Sequence, residues 1–183
     1  MAGYDEQTIL RKLAAPDTRR EAFTDVVRQY SEPLYWKIRR MVLTHEDADD
    51  ILQNTFIKAW NNISDFRQQA KLSTWLYRIA INESLDFIRK NKNTSFLVNA
   101  DEVTSVSSAL LADAYFDGDY TQALLQEAIA TLPDVQRMVF NLRYFDEMKY
   151  SEISKFLATS EGALKASYHL AVKKITDFFR KRD

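Results

Sequence analysis

Aromatic and basic side chains are interleaved with amides over a short stretch in the first half of the chain. The members are Phe66, Arg67, Gln68, Gln69 and Lys71 of a predicted loop, and Thr74, Tyr77, Arg78, Asn82, Asp86 and Arg89 on the predicted outer face of the helix that follows it. Unpaired bases need flat rings for stacking and phosphates need cations, so these residue types together suit single-stranded nucleic acid. Trp75 lies among them, but its place on an apolar helical stripe favours a core position. The stretch therefore predicts a single-stranded nucleic-acid surface.

A second candidate site is a helix-turn-helix near the C-terminus. The segment YSEISKFL, the turn ATS and the segment from Glu161 onward have the lengths of a short helix, a tight connection and a longer helix. Small residues at Ser154 and Ala158 allow the helices to cross, and Thr159 or Ser160 caps the second one, whose N–H groups suit a phosphate. The inward anchor is Leu164, and the outward residues are Glu161, Lys165, Ala166, His169 and Lys173. A plain helical hairpin is the alternative.

An acidic and amide face is predicted on a helix that runs from Thr44 to Asn61. Thr44 and Asp47 have the spacing of a capping box, which marks the start of this helix. The predicted core residues are Ala48, Ile51, Leu52, Thr55, Phe56 and Ala59, with Trp60 at the end. The opposite face carries Asp49, Asp50, Gln53, Asn54, Ile57 and Lys58. This face is either solvated surface or a docking surface for a basic partner helix.

Enzymatic chemistry has little support in the residue types. The chain has no cysteine and only two histidines, His45 beside a helix cap and His169 on an outward face. Lone surface histidines form no metal site or acid–base cluster, and no glycine-rich phosphate loop occurs. The sequence therefore predicts a protein that is not an enzyme and holds no metal or cofactor.

These candidate residues require helices to position them, and the composition favours helix throughout. With 3 glycines and 3 prolines in 183 residues, the turns of β-rich folds are nearly absent. We predict two small all-α domains, residues 1–95 and 122–183, joined by a linker at 96–121. The first domain has helices at about 5–14, 19–30, 44–61 and 73–91, with a restart or kink at Pro33. The second has helices at about 122–131 and 134–144 before the helix-turn-helix, with Val135, Met138, Val139 and Leu142 inward.

The predicted linker is rich in serine and aspartate and has no sustained helical period. Its acidic residues are Asp101, Glu102, Asp113, Asp117 and Asp119, and it has no basic residue. A short helix at about 107–114 is the alternative. No apolar run in the chain approaches a membrane span, and the N-terminus is acidic, so we expect a cytoplasmic protein without membrane insertion.

Three segments in order resemble one family. They are DADDILQNTFIKAW, DFRQQAKLSTWLYRIAINESLDFIRK and LPDVQRMVFNLRYFDEMKYSEISKFLATSEGALKASYHLAVKKI. Together they are similar to the bacterial extracytoplasmic-function sigma factors, the two-domain group of the sigma-70 family. The first two segments resemble sigma region 2 and the third resembles sigma region 4, so the resemblance covers nearly the whole chain.

The resemblance implies partners and residue roles. It implies a sigma factor that binds RNA polymerase core, through the β′ clamp helices and the β flap, and directs promoter recognition and DNA melting. It also raises an anti-sigma factor as a partner, although no residue indicates one. The residues implied to bind polymerase are Asp49, Asp50, Gln53, Asn54 and Ile57. Those implied for the minus-ten element are Phe66, Arg67, Gln69, Lys71, Thr74, Tyr77, Arg78 and Asn82, and those for the minus-thirty-five element are Ser160, Lys165, Ser167, His169 and Lys173.

The second helix of the predicted helix-turn-helix, which is the DNA-recognition helix in the family, departs from the family pattern. This departure leaves other functions open. Ser167 stands where the family usually has arginine, and Leu170 and Val172 stand where basic residues are usual. Each missing cation weakens phosphate binding. The first alternative is a helix-turn-helix regulator that binds DNA without docking on polymerase core. The second alternative is a purely structural interaction module.

Overall fold

The computed structural model describes residues 5–91 and 118–182, which form α-helices joined by short turns and contain no strand. The chain divides into two compact units, residues 1–90 and 91–183. The first contains α1 (Glu6–Ala14), α2 (Pro16–Met41), α3 (His45–Asn62), a 3-10 turn (Ile63–Asp65) and α4 (Leu72–Asn91). The second contains α5 (Tyr120–Ala130), α6 (Asp134–Tyr144), α7 (Tyr150–Leu157) and α8 (Glu161–Arg180). The all-α prediction is confirmed, whereas most of the predicted linker, including the alternative helix at 107–114, lies outside the described residues.

In the first unit, α2 is one helix where the sequence left a restart or a kink open. Pro33 lies inside α2, where it has no N–H to donate to the carbonyl of Gln29. Both residues are exposed, so water can hydrate that carbonyl. The buried side chains of Leu34 and Ile38 continue the apolar stripe beyond the proline and hold the helix to the core. Packing therefore outweighs the missing hydrogen bond.

Helix α3 begins where its cap predicts. The Thr44 side chain accepts a hydrogen bond from the Asp47 backbone N–H at 3.1 Å. Four of the predicted core residues are buried, namely Ala48, Ile51, Thr55 and Ala59. The Thr55 hydroxyl donates to the Ile51 carbonyl at 2.7 Å, which satisfies a polar group in the core. Trp60 remains 39% exposed while its ring packs edge-on against Phe23, with centroids 5.1 Å apart.

The second unit has its core between α5, α6 and α8. Its central cluster comprises Ala128, Ile129, Leu132, Phe140, Ala171 and Ile175. The prediction that Val135 points inward is wrong, because Val135 is 41% exposed. Arg137 is buried instead and donates to the Leu132 carbonyl at 3.1 Å and to Asp134 at 2.6 Å. Burial lowers the pKa of Arg137, and the Asp134 carboxylate opposes that effect.

A buried carboxylate connects α5 with the end of the chain. Glu127 is 1% exposed, and Arg182, which follows α8, donates a hydrogen bond to its side chain. The Arg182 guanidinium also lies 4.3 Å from the centroid of the Phe178 ring. The arginine therefore offsets the cost of burying a negative charge and fixes the end of α8 to α5.

We expect Arg182→Ala to lower the free energy of unfolding of the second unit by about 1–3 kcal/mol, because it removes a charged partner from a carboxylate that water does not reach. Arg180→Ala is the matched control, since Arg180 is exposed and pairs with half-buried Asp177 at 3.8 Å, and ion pairs at the surface contribute little. Urea unfolding followed by circular dichroism measures the difference. The three tryptophans all belong to the first unit, so their fluorescence reports that unit separately. Equal stability of the two variants would contradict the role of Arg182.

Candidate functional site

The predicted single-stranded nucleic-acid surface lies on the loop before α4 and on one face of α4. Of the eight residues implied for the minus-ten element, six are exposed: Arg67, Gln69, Lys71, Thr74, Arg78 and Asn82. Phe66 is half-buried, and its ring packs against Trp75 with centroids 5.1 Å apart. Trp75 is also half-buried, so the two rings form the base of the loop rather than part of the deep core. The exposed members combine three cations with amide and hydroxyl groups that can donate to phosphates and bases.

Tyr77 differs from the other residues of this surface. Its side chain is half-buried, and its hydroxyl is buried with no hydrogen-bond partner among the described residues. The Lys37 ammonium of α2 lies 3.8 Å from the centroid of the ring and covers one face of it. The sequence prediction that Tyr77 stands on the outer face of α4 is therefore corrected. The ring is part of the α2–α4 contact because Lys37 meets it there, and no pattern within α4 alone could indicate this.

Tyr77→Phe should leave promoter opening unchanged and raise the free energy of unfolding by about 1 kcal/mol, because burying a hydroxyl without a partner is costly. Tyr77→Ala is the companion variant, and it should destabilise the unit because it removes the whole ring. Thermal unfolding and transcription assays with core polymerase measure the two quantities. A loss of promoter opening in Tyr77→Phe at normal stability would instead show that the hydroxyl contacts DNA.

The acidic and amide face of α3 is largely open to solvent. Asp50, Gln53 and Asn54 are exposed, and Ile57 is 57% exposed, the highest value among the large aliphatic side chains on this helix. Lys58, at the edge of the face, forms an ion pair with Glu83 of α4. The surface therefore presents acceptors around one apolar side chain, which is the arrangement of a protein interface with an apolar centre and a polar rim.

Asp49 of this face is paired with a histidine of its own helix. Its carboxylate lies 3.1 Å from Nε2 of His45, one turn earlier in α3. The other ring nitrogen of His45 lies 2.6 Å from the Tyr35 hydroxyl of α2. His45 was predicted only as a surface residue, although the i, i+4 spacing of His45 and Asp49 was a signal of this pairing. A histidine thus orients one of the predicted polymerase-binding carboxylates.

The helix-turn-helix has the predicted helix boundaries. Ser160 caps α8 by accepting from the Ala163 N–H at 3.3 Å, and Leu164 is fully buried. Ala158 does not lie at the helix crossing as predicted. It is exposed and ends α7 in a left-handed conformation with φ 48°, because the chain must reverse within three residues.

The predicted DNA-facing residues of α8 differ in exposure. Lys165, His169 and Lys173 are exposed, as is the cap residue Ser160, whereas Ser167 is half-buried. The Lys165 ammonium lies 5.8 Å from the centroid of the Tyr150 ring, so this cation lies beside α7, the first helix of the motif. Leu170 and Val172 are 46% and 39% exposed, which leaves apolar surface beside the cations.

Neither a metal site nor a membrane span is found in the part of the chain that the structure describes. No three histidine, aspartate or glutamate side chains within residues 5–91 and 118–182 converge so as to hold a metal ion. Across those same ranges, every helix is too short or too polar to cross a bilayer.

Similarity to known proteins follows the division into two units. The family model of sigma-70 region 2 matches residues 26–94, and that of sigma-70 region 4 matches residues 122–175. The ECF RNA polymerase sigma factor SigW of Bacillus subtilis is 37% identical over 157 residues, which cover 81% of this chain and 84% of SigW. The RNA polymerase sigma factor YlaC of the same organism is 28% identical over 153 residues, covering 83% and 88%.

Two solved structures share the fold. CnrH, determined in complex with the cytosolic domain of CnrY, has a TM-score of 0.62 at 21% identity and covers 97% of this chain and 99% of its own. The sigma factor RpoE of Bartonella quintana, determined with the anti-sigma factor NepR, has a TM-score of 0.63 at 19% identity, covering 86% and 96%. Both sigma-70 regions are matched within this one chain, region 2 before region 4. The chain therefore belongs to the sigma-70 family of RNA polymerase sigma factors, in its extracytoplasmic-function group.

Proposed function

We propose that this chain binds RNA polymerase core, directs it to promoters and takes part in melting the DNA there. The observation that carries the proposal is the presence of sigma regions 2 and 4 in one chain that aligns with a sigma factor over 81% of its length. A transcription initiation factor of this kind acts by binding and positioning. It would work in the cytoplasm, where the polymerase and the chromosome are.

The polymerase contact is the exposed face of α3. Asp50, Gln53, Asn54 and Asp49 supply acceptors for a basic helix of the β′ clamp, and Ile57 supplies an apolar centre. Support comes from the exposure of Ile57, because a large aliphatic side chain at 57% exposure gains from being covered. The pairing of Asp49 with His45 leaves Asp50 as the carboxylate best placed to meet a new cation.

The DNA contacts are divided between the units. In the first unit, the exposed cations Arg67, Lys71 and Arg78 meet phosphates of the opened minus-ten strand, while Gln69, Thr74 and Asn82 meet its bases or sugars. Phe66 and the Tyr77 ring support this surface from beneath. In the second unit, α8 enters the major groove of the minus-thirty-five element with Lys165, His169, Lys173, Ser167 and the cap residue Ser160 nearest the DNA. The β flap holds this unit on the polymerase.

An anti-sigma factor is a further proposed partner. RpoE of Bartonella quintana was determined with the anti-sigma factor NepR, and it shares this fold. A partner that covered the α3 face would compete directly with polymerase core.

In vitro transcription on a genomic fragment library tests the proposed function. Purified core polymerase should start transcripts at a defined set of sites only when this protein is added, and those sites identify the promoter. A helix-turn-helix regulator that acts without docking on core is the competing function. It predicts DNA binding by the protein alone and no co-purification with core, and that pair of results would overturn the proposal.

A further inference from the structure

The loop between α3 and α4 is anchored at both ends by the two N-terminal helices. Upstream of the loop, the guanidinium of Arg19 in α2 donates to the Ser64 hydroxyl of the 3-10 turn at 3.3 Å. Downstream of it, the backbone N–H of Leu72 donates to Oε1 of Glu6 in α1 at 2.9 Å. The residues between these anchors include Arg67, Gln69 and Lys71, three of the proposed minus-ten contacts.

The contact from Glu6 takes the place of an N-cap on α4. Lys71, the residue before α4, has no side-chain oxygen to accept from the first N–H groups of the helix. Glu6 supplies that acceptor from 66 residues away, and its carboxylate also meets the positive end of the helix dipole. Glu6 is half-buried and Leu72 is fully buried, so solvent competes weakly for this hydrogen bond.

Helix α1, which carries Glu6, is held by hydrogen bonds at both of its ends. Asp5 caps it through the Thr8 N–H at 3.1 Å, and hydrogen bonds from Thr8 lower the pKa of Asp5. At the other end, the carbonyls of Lys12 and Leu13 accept from Thr18 and Arg19 of α2 at 2.8 and 2.9 Å. Arg19 therefore connects the end of α1 with the start of the loop.

The loop itself contains a strained residue. Gln68 has φ 55°, a left-handed conformation that costs free energy for any residue other than glycine. A cleft of about 580 Å³ separates the loop from α1, and it is lined by Glu6, Gln7, Leu10, Arg11, Gln68 and Lys71, with Ala14 and Ala70. Residues 67–71 are exposed, so the conformation of the loop depends on the anchors at its two ends and on the Phe66–Trp75 contact at its base.

We propose that Glu6 is a positioning residue for promoter opening, because its bond to Leu72 presets the loop that carries Arg67, Gln69 and Lys71. This inference rests on the proposed function of that loop. Glu6 itself contacts no DNA and lies outside the matched sigma region 2, residues 26–94. A loop that is ordered in advance loses less conformational entropy when the strand binds. Removing the anchor should therefore weaken the open complex and leave docking on core unchanged.

Glu6→Ala, Glu6→Gln and the control Glu21→Ala, which removes an exposed carboxylate of α2, test the proposal in reconstituted holoenzyme. The template is a promoter found with the wild-type protein, carrying 2-aminopurine in the minus-ten element to report unpaired bases. Glu6→Ala should form about fivefold less open complex on duplex DNA, the effect expected when a helix cap is removed. Glu6→Gln keeps an oxygen acceptor and should restore most of it, and all three variants should bind core as the wild type does.

Two further measurements separate positioning from general damage. A template with a pre-opened bubble should remain sensitive to Glu6→Ala, because the disordered loop must still be fixed on the strand. Hydrogen exchange at the Leu72 amide should accelerate in Glu6→Ala alone. Normal open complexes in Glu6→Ala, or an equal loss of core binding, would overturn the proposal while the proposed function stands. A wild-type holoenzyme that starts no transcripts would instead overturn the proposed function.

Discussion

Replacement of Ile57 by lysine should weaken binding to RNA polymerase core by about 100-fold. Covering an isoleucine is worth about 1.5–3 kcal/mol, and the variant loses that contribution. It also places a cation within an acidic and amide face that we propose meets a basic helix, so like charges approach each other. Ile57 is 57% exposed in this structure, and the variant should therefore fold as the wild type does.

Fluorescence titration of labelled protein with purified core measures this affinity. Gln29→Lys is the matched control, because Gln29 is exposed on α2 and the substitution adds a positive charge outside the α3 face. Ile57→Ala should fall between the two lysine variants, since it removes the apolar contact without adding charge. Identical affinities for Ile57→Lys and Gln29→Lys would remove the α3 face from the polymerase interface.

Local signals in the sequence predicted the helices and much of the exposed surface. The boundaries of α7 and α8 agree with prediction because Ser160 is a cap and the buried side chain of Leu164 follows at helical spacing. The start of α3 agrees because Thr44 caps it. In each case the decisive interaction joins residues that are close in the chain, so one segment contains the information.

The errors arose where a distant element decides the outcome. Tyr77 has the spacing of an outer-face residue, but Lys37 of another helix covers its ring. Val135 is the exception, because its cause is local: it was predicted inward from hydrophobic periodicity, whereas Arg137 is buried and bonds Asp134 and the Leu132 carbonyl. The contact of Glu6 with Leu72 spans 66 residues, and no periodicity within α1 or α4 indicates it. Tertiary contacts of this kind determine which predicted surface residues remain available.

The double variant Arg67→Ala, Arg78→Ala should reduce open-complex formation by roughly 30- to 150-fold, because each substitution removes an attraction between a cation and a phosphate worth about 1–1.5 kcal/mol. Both side chains are exposed, so their removal leaves the core of the first unit intact. Binding of holoenzyme to single-stranded minus-ten DNA should also become less dependent on salt. The slope of log K against log salt concentration should fall by about 0.7 for each phosphate that is no longer neutralised.

Arg89→Ala is the control that distinguishes a specific surface from general charge. Arg89 is also exposed on α4, where it pairs with Asp86 at 3.6 Å, but it lies eleven residues beyond Arg78, about 17 Å along the helix axis. If the opened strand follows the loop and the start of α4, Arg89→Ala keeps both the amount of open complex and the salt slope. An equal reduction for each positive charge removed, in Arg89→Ala and in the double variant, would mean that the net charge of the first unit attracts the DNA. In that case the loop would not bind the opened strand specifically, because the electrostatic field of the whole unit attracts the duplex and the opened strand alike.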